Sequence, residues 1–130
     1  DLSPAMIAKA RALGIYDELA VADIETGLSS FARPYDLILA ADTVVYLGAL
    51  EKLFAGVATR LSKNGMFLFT VEKKEGDGFE LGPKRRWRHS ETYLRDAAAH
   101  RGLNINGLIA CSPRMEAGIP VDGLAVALSR

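Results

Sequence analysis

Apolar and polar residues alternate along this chain in blocks that predict helices and strands in turn. The clearest helical pattern spaces apolar side chains three and four positions apart. Those side chains are Leu47, Leu50, Phe54, Val57 and Leu61. Asn64-Gly65 is expected to end this helix, and continuous apolar runs at 35–41 and 66–71 predict strands buried on both faces.

Two further helices are predicted from their capping residues. Ser3 followed by Pro4 indicates a helix start, and Gly14 its end. Ser90 indicates a second start, with Gly102 at its end. Segment 25–34 is expected to be a loop, and segment 72–88, which is charged and punctuated by glycine, a loop or broken insertion outside the core.

The order of these elements predicts a fold class. Helices that alternate with buried strands favour a parallel sheet with helices on both faces. The last two strand candidates, 104–111 and 124–128, have no helix between them and are expected to pair antiparallel. We therefore expect an α/β fold, a doubly wound and mostly parallel sheet with an antiparallel terminal strand, in one domain over residues 1–130.

Composition narrows the class of protein. Sixteen basic and sixteen acidic residues give a formal net charge of zero, which argues against a nucleic-acid or membrane partner. No apolar run is long enough to span a bilayer, and the start does not resemble a signal peptide. The single cysteine, Cys111, favours a reducing cytoplasm. The two histidines have no metal-ligand spacing, so we expect no metal.

The beginning of the chain is unusual. It opens on Asp1 rather than methionine, and a helix start follows almost at once. We expect that a segment is missing upstream.

Four fragments carry a family resemblance that covers nearly the whole chain. They are residues 1–6, 22–25, 35–42 and 61–69, with sequences DLSPAM, ADIE, YDLILAAD and LSKNGMFLF. In this order and with these separations they resemble the class I S-adenosylmethionine-dependent methyltransferases, whose fold is Rossmann-like. The resemblance implies transfer of a methyl group from S-adenosylmethionine to an acceptor, which we take to be a small molecule.

One feature of that family is absent from the sequence. The resemblance implies a first strand and a Gly-x-Gly loop, at which the backbone approaches the cofactor, upstream of Asp1. Residues 1–130 would then need a partner chain, a rearranged sheet or further residues to fill the gap. An unfilled sheet position would favour a homodimer.

The resemblance also implies roles for six cofactor-binding positions. Asp1 would accept hydrogen bonds from the ribose hydroxyls, Leu2 would flank the adenine, and Asp23 would accept from the adenine amino group. The N–H of Ile24 would face a ring nitrogen, and Ala40 and Ala41 would leave room for the sulfonium. Each has an ordinary alternative: a solvated terminus, core packing or a turn aspartate.

Candidates for the chemistry and for acceptor binding follow from position. Asp42 and Tyr46 follow a strand end and are weak catalytic candidates, and His89 is a third. Each has an alternative role. Asp42 would cap a helix, Tyr46 would be half-buried core, and His89 would be a structural histidine. Arg86 and Trp87 lie in a basic run, 84–89, and are predicted to bind an anionic acceptor. A solvated loop or base stacking on Trp87 are the alternatives.

Two other functions stay open. One is a methyltransferase-like scaffold that is catalytically inactive and serves in interactions. The other is an NAD-type dehydrogenase, which an antiparallel last strand does not favour.

Overall fold

One long strand, β2 (Leu61–Lys73), organises the larger of two compact units in the computed structural model, which describes residues 1–130. The units are Asp1–Arg33 and Pro34–Arg130. No helix combines the length and apolar character needed to cross a bilayer.

The first unit contains two helices. Helix α1 (Pro4–Leu13) begins as predicted, because Ser3 Oγ accepts the N–H of Met6 at 3.3 Å. It ends at Gly14, whose φ of 66° is in the left-handed region that glycine adopts without strain. Helix α2 (Ile24–Ser30) shows that the prediction of a loop over 25–34 was wrong for its first six residues.

Between the two helices the chain is irregular, so no strand precedes Asp23. Asp1 nevertheless lies alongside this segment. Its N–H₃⁺ group donates to Ala20 O at 3.2 Å, and Ala22 N–H donates to Asp1 O at 2.9 Å. Asp1 thus bonds both neighbours of Val21 through its own N–H and C=O groups. This is the hydrogen-bond pattern of parallel strands.

The second unit carries the sheet. Its remaining elements, in chain order, are β1 (Tyr35–Ala40), a 3₁₀ turn (Val44–Tyr46), α3 (Glu51–Arg60), β3 (Phe79–Leu81), β4 (Trp87–His89), α4 (Glu91–Ala99), β5 (Asn104–Cys111), β6 (Met115–Glu116), β7 (Ile119–Pro120) and β8 (Gly123–Ser129). Strands β6 and β7 form a separate two-stranded hairpin.

The main sheet is mixed. Its order is β3-β4-β2-β8-β5, and β1 also pairs with β2. The pairs β1/β2 and β2/β4 are parallel, whereas β2/β8, β5/β8 and β3/β4 are antiparallel. The α/β class and the antiparallel pairing of the last two long strands are therefore confirmed, and β8 lies between β2 and β5 rather than at an edge.

Strand β2 begins earlier than expected, at Leu61 instead of residue 66. Asn64-Gly65 was predicted to end a helix, but these residues lie inside β2, in an irregular stretch opposite Tyr35 and Leu37. A Cβ at Gly65 would meet Tyr35 O at 2.8 Å. The glycine therefore serves a close backbone approach in the sheet rather than a helix end.

Segment 72–88 was predicted to lie outside the core, and this was wrong at both of its ends. Strand β2 runs on through Glu72, which is buried. Strands β3 and β4 then form an antiparallel hairpin that joins the main sheet. The carboxylate of Glu72 is compatible with burial because Arg114 Nη2 donates to it at 2.6 Å.

The core lies on one face of the sheet. Phe54 of α3 packs edge-on against Phe67 of β2, with ring centroids 6.4 Å apart, and Phe69 stacks on Phe67 at 4.7 Å. On the opposite face Leu37, Leu39 and Ile109 are exposed. The prediction that 35–41 is buried on both faces was therefore wrong, because the face that carries Leu37 and Leu39 is left exposed.

A tyrosine on α4 holds the start of α3. The N-cap residue of α3, Leu50, has no side-chain cap of its own. Instead its N–H donates to Tyr93 Oη at 2.7 Å, and that hydroxyl donates to Glu51 Oε1 at 3.3 Å. Burial raises the pKa of Tyr93 to about 12, so the phenol stays neutral and remains able to make both bonds.

Replacing Tyr93 with phenylalanine is expected to lower the free energy of unfolding by about 1–2 kcal/mol, because it leaves the Leu50 N–H without its acceptor. Urea denaturation monitored by circular dichroism measures the change. The matched control is Tyr46→Phe, since the Tyr46 side chain is 61% exposed. Equal stability of the two variants would show that the Tyr93 hydroxyl does not support α3.

Candidate cofactor and acceptor sites

Two predicted cofactor-binding residues meet in the first unit. The backbone bonds of Asp1 to Ala20 and Ala22 bring it beside the segment that leads into Asp23. Neighbouring paired segments lie about 4.8 Å apart. Asp1 therefore lies beside the segment 20–22, and Asp23 follows that segment at its carboxyl end, which is where α/β folds bind ligands.

Each carboxylate uses one oxygen for local structure. Asp1 Oδ1 accepts the Ser3 N–H at 2.7 Å. Asp23 Oδ1 caps α2 by accepting the Glu25 N–H at 2.6 Å and the Thr26 N–H at 3.3 Å. Asp23 thus serves as the N-cap of α2, a local role that the turn-aspartate alternative did not specify, and Oδ2 of both residues lies outside these bonds.

The apolar residues predicted for the cofactor site differ in their exposure. Leu2 is exposed next to Asp1, and Ile24, the first residue of α2, is half-buried. In the second unit Ala41 is exposed just beyond β1, whereas the Ala40 side chain is buried against the core, in register with Phe69. Ala40 therefore presents its backbone rather than its methyl group at this strand end.

A second group of candidates meets at the carboxyl end of β1. Asp42 has a φ of 48°, a left-handed conformation that aspartate tolerates better than most residues, and its N–H donates to Thr70 Oγ1 at 3.0 Å. Arg86 Nη1 donates to Asp42 Oδ1 at 3.1 Å. The Arg86 guanidinium also lies over the Tyr46 ring, 5.4 Å from its centroid.

Sequence reasoning missed Arg114, which extends this group. Its side chain is only 15% exposed, and it bonds Glu72 at 2.6 Å and Glu116 at 3.2 Å through Nη2. Its Nη1 lies 3.5 Å from Asp42 Oδ1. Arg114 stands alone in a loop, far along the chain from the basic run 84–89, so no local pattern pointed to it.

Trp87 and His89 lie in an aromatic cluster instead. Trp87 packs edge-on against Phe79, with centroids 5.6 Å apart, and His89 stacks on Tyr93 at 5.9 Å. His89 is fully buried, and its Nε2–H donates to Gly48 O at 2.8 Å. Its Nδ1 is buried without a hydrogen-bond partner. The position of His89 favours its structural alternative, and Trp87 lies in β4 against Phe79 rather than in a solvated loop.

No protein-family model and no curated protein matches the sequence. Among solved structures, the chain is similar to an S-adenosylmethionine-dependent methyltransferase from Clostridium acetobutylicum, with 19% identity over 98% of this chain and 72% of that one and a TM-score of 0.72. A SAM-dependent methyltransferase from Leishmania major shows 17% identity over 99% of this chain and 53% of its own, with a TM-score of 0.74.

A third similar structure holds ligands. It is 1,6-didemethyltoxoflavin-N1-methyltransferase from Burkholderia thailandensis, with 1,6-didemethyltoxoflavin and S-adenosylhomocysteine bound. It is 14% identical over 98% of this chain and 58% of its own, with a TM-score of 0.71. The chain thus has the Rossmann-like fold of the class I S-adenosylmethionine-dependent methyltransferases, and it spans between about half and three quarters of these three neighbours.

The first unit fits the adenosine part of that cofactor. Vicinal ribose hydroxyls and an adenine amino group are donors, and the remaining oxygens of Asp1 and Asp23 are acceptors. Leu2, which follows Asp1 in the chain, and Met6 of α1 add exposed apolar surface to this unit.

His89 makes stability depend on pH. Burial lowers its pKa below 6.5, so the unfolded chain binds a proton near that pH while the folded chain does not. The unfolded state then holds more protons, and the free energy of unfolding falls as the pH drops through 6.5. Above that pH the contribution of His89 is fully present.

The expected result is a steeper loss of stability below about pH 6.5 in the wild type than in His89→Gln, whose amide keeps a donor for Gly48 O. Urea unfolding between about pH 5 and about pH 7.5 measures it. The matched control is His100→Gln, the same substitution at an exposed histidine. Identical slopes in all three proteins would contradict the assignment to His89.

Proposed function

We propose that this chain is part of an enzyme that transfers a methyl group from S-adenosylmethionine to a small-molecule acceptor. The observation that carries the proposal is the parallel-type backbone pairing of Asp1 with the segment before Asp23, because it brings the two predicted cofactor-binding carboxylates to adjacent segments. The fold alone would not be enough, since one fold supports many functions.

The cofactor would supply an activated methyl group with its own leaving group. The residues of this chain would hold and orient it: Asp1 at the ribose, Asp23 at the adenine amino group, and Leu2 and Ile24 along the ring. The exposed Ala41 would leave space near the strand end. Proximity and orientation would provide most of the rate enhancement, so a dedicated base is needed only if the acceptor must lose a proton.

The structure weighs against the dehydrogenase alternative. Strand β8 lies antiparallel between β2 and β5, whereas a doubly wound dinucleotide-binding sheet is parallel there. The half-buried free thiol of Cys111 supports our placement of the protein in the cytoplasm. In the main sheet β1 pairs with β2 alone, and the proposed homodimer would add a strand from a second copy beside β1.

Asp23→Asn is expected to weaken S-adenosylhomocysteine binding by about tenfold, because the acceptor facing the adenine amino group loses its charge. Asparagine caps helices as well as aspartate does, so α2 should persist. Calorimetric titration of the natural protein that carries this sequence measures the affinity.

The matched control is Asp17→Asn, an exposed carboxylate of the same unit, which should bind like the wild type. Equal affinity of Asp23→Asn and the wild type would remove Asp23 from the cofactor site.

A further inference from the structure

Four residues form a cluster at the carboxyl end of β1: Asp42, Tyr46, Arg86 and Arg114. The two guanidinium groups of this cluster offer more N–H donors than the carboxylate of Asp42 can accept. Asp42 Oδ1 accepts from Arg86 Nη1 and also lies 3.5 Å from Arg114 Nη1. A guanidinium offers five N–H donors in a planar fork that matches a carboxylate with two oxygens. One oxygen of Asp42 therefore faces two such forks, and neither is engaged bidentately.

One of these donors is left unpaired. Arg114 Nη1 is buried and forms no hydrogen bond, although its neighbour Nη2 bonds Glu72 and Glu116. An unmade hydrogen bond on a buried charged group is costly, so a ligand that accepted from Arg114 Nη1 would gain a charge-assisted bond there. The acid on this side of Arg114 is Asp42.

Asp42 is also the acid that can be displaced. Its side chain is 44% exposed, whereas the side chain of Glu72 is 5% exposed and is held by Arg114 at 2.6 Å. Both arginines are largely buried, but their pairs with the half-exposed Asp42 are longer, at 3.1 and 3.5 Å, than the pair with Glu72, so a ligand carboxylate would replace Asp42 rather than Glu72. Glu72 would meanwhile keep Arg114 in place.

Tyr46 supplies a flat surface beside the arginines. The Tyr46 side chain is 61% exposed, and the Arg86 guanidinium is 5.4 Å from the ring centroid. An exposed aromatic ring next to a cationic fork suits a ligand that is itself planar and carries a carboxylate. Trp87, which was predicted to bind the acceptor together with Arg86, packs against Phe79 instead.

We propose that Arg86 and Arg114 bind a carboxylate of the methyl acceptor, which takes the place of Asp42 and lays a planar ring against Tyr46. This assignment rests on the proposed methyltransferase function and names its acceptor class: small aromatic carboxylates. Asp42 then pairs with the two arginines when no acceptor is bound, and the acceptor carboxylate replaces it.

Benzoate is the probe, and benzamide, which has the same shape without the charge, is its control. Both are titrated into the natural protein that carries this sequence, with the Arg Nε–H signals followed by NMR. Benzoate should shift these signals in a saturable way and bind at least about tenfold more tightly than benzamide, because a charge-assisted contact replaces a neutral one. Equal binding of the two probes, or none, would overturn the proposal.

Substitutions at Asp42 and at Arg86 are expected to change the benzoate affinity in opposite directions. Asp42→Asn removes the competing charge and keeps a residue that tolerates a left-handed φ, so benzoate affinity should rise several-fold. Arg86→Gln and the charge-retaining Arg86→Lys should both weaken the binding of benzoate, and the glutamine variant should weaken it more. Arg95→Gln, an exposed arginine paired with Glu91, is the matched control and should leave benzoate affinity unchanged. Weaker benzoate binding by Asp42→Asn would refute displacement.

S-adenosylhomocysteine titrated into the same wild-type protein separates the two proposals. Cofactor binding without benzoate binding would overturn the acceptor class and leave the methyltransferase function standing. Benzoate binding without cofactor binding would overturn the function, and with it the assignment of this cluster to a methyl acceptor.

Discussion

The parallel pairing of β1 with β2 is the constraint on which the second unit depends. It brings the carboxyl ends of both strands to one edge of the sheet, so Asp42 and Thr70 come within hydrogen-bonding distance. Because β2 continues to Lys73, it also accepts β4 in parallel beyond the end of β1, which carries Arg86 to the same edge. The length of β2 therefore determines which polar residues can meet.

The buried side chains of β2 contact both the helix α3 and the arginines. Phe67, Phe69 and Val71 face the core, and Phe54 of α3 packs against the two aromatic rings. On the same strand Glu72 is buried as a charge, which is stable only because Arg114 and Arg88 lie at its two oxygens. Strand β2 thus carries both core residues and the buried partner of Arg114, and the transition from apolar to charged burial occurs between Val71 and Glu72.

The sequence predicted features that depend on neighbours along the chain. Ser3, Gly14 and Ser90 act through bonds that span a few residues, so their caps were recognisable. Features that depend on distant partners were missed. The Asn64-Gly65 pair has the composition of a turn, yet its glycine is required by the backbone of Tyr35, and α2 has too short an apolar pattern to show itself.

The candidate site divides in the same way. Asp1 and Asp23 were named from a family resemblance carried by local motifs, and the structure brings them to adjacent segments. Arg86 was also named, but its aromatic neighbour is Tyr46 rather than Trp87, because β4 directs Trp87 toward Phe79. Arg114 lacked any signal, since its importance comes from contacts with Glu72 and Asp42 that form only when the sheet is assembled.

The most direct measurement is a pair of calorimetric titrations into the natural protein that carries this sequence, one with S-adenosylmethionine and one with NAD⁺. The two ligands share the adenosine that Asp1 and Asp23 would hold, and they differ in the group that each transfers. The account predicts saturable binding of S-adenosylmethionine and no saturable binding of NAD⁺. Binding of NAD⁺ alone, or of neither ligand by a folded protein, would contradict it.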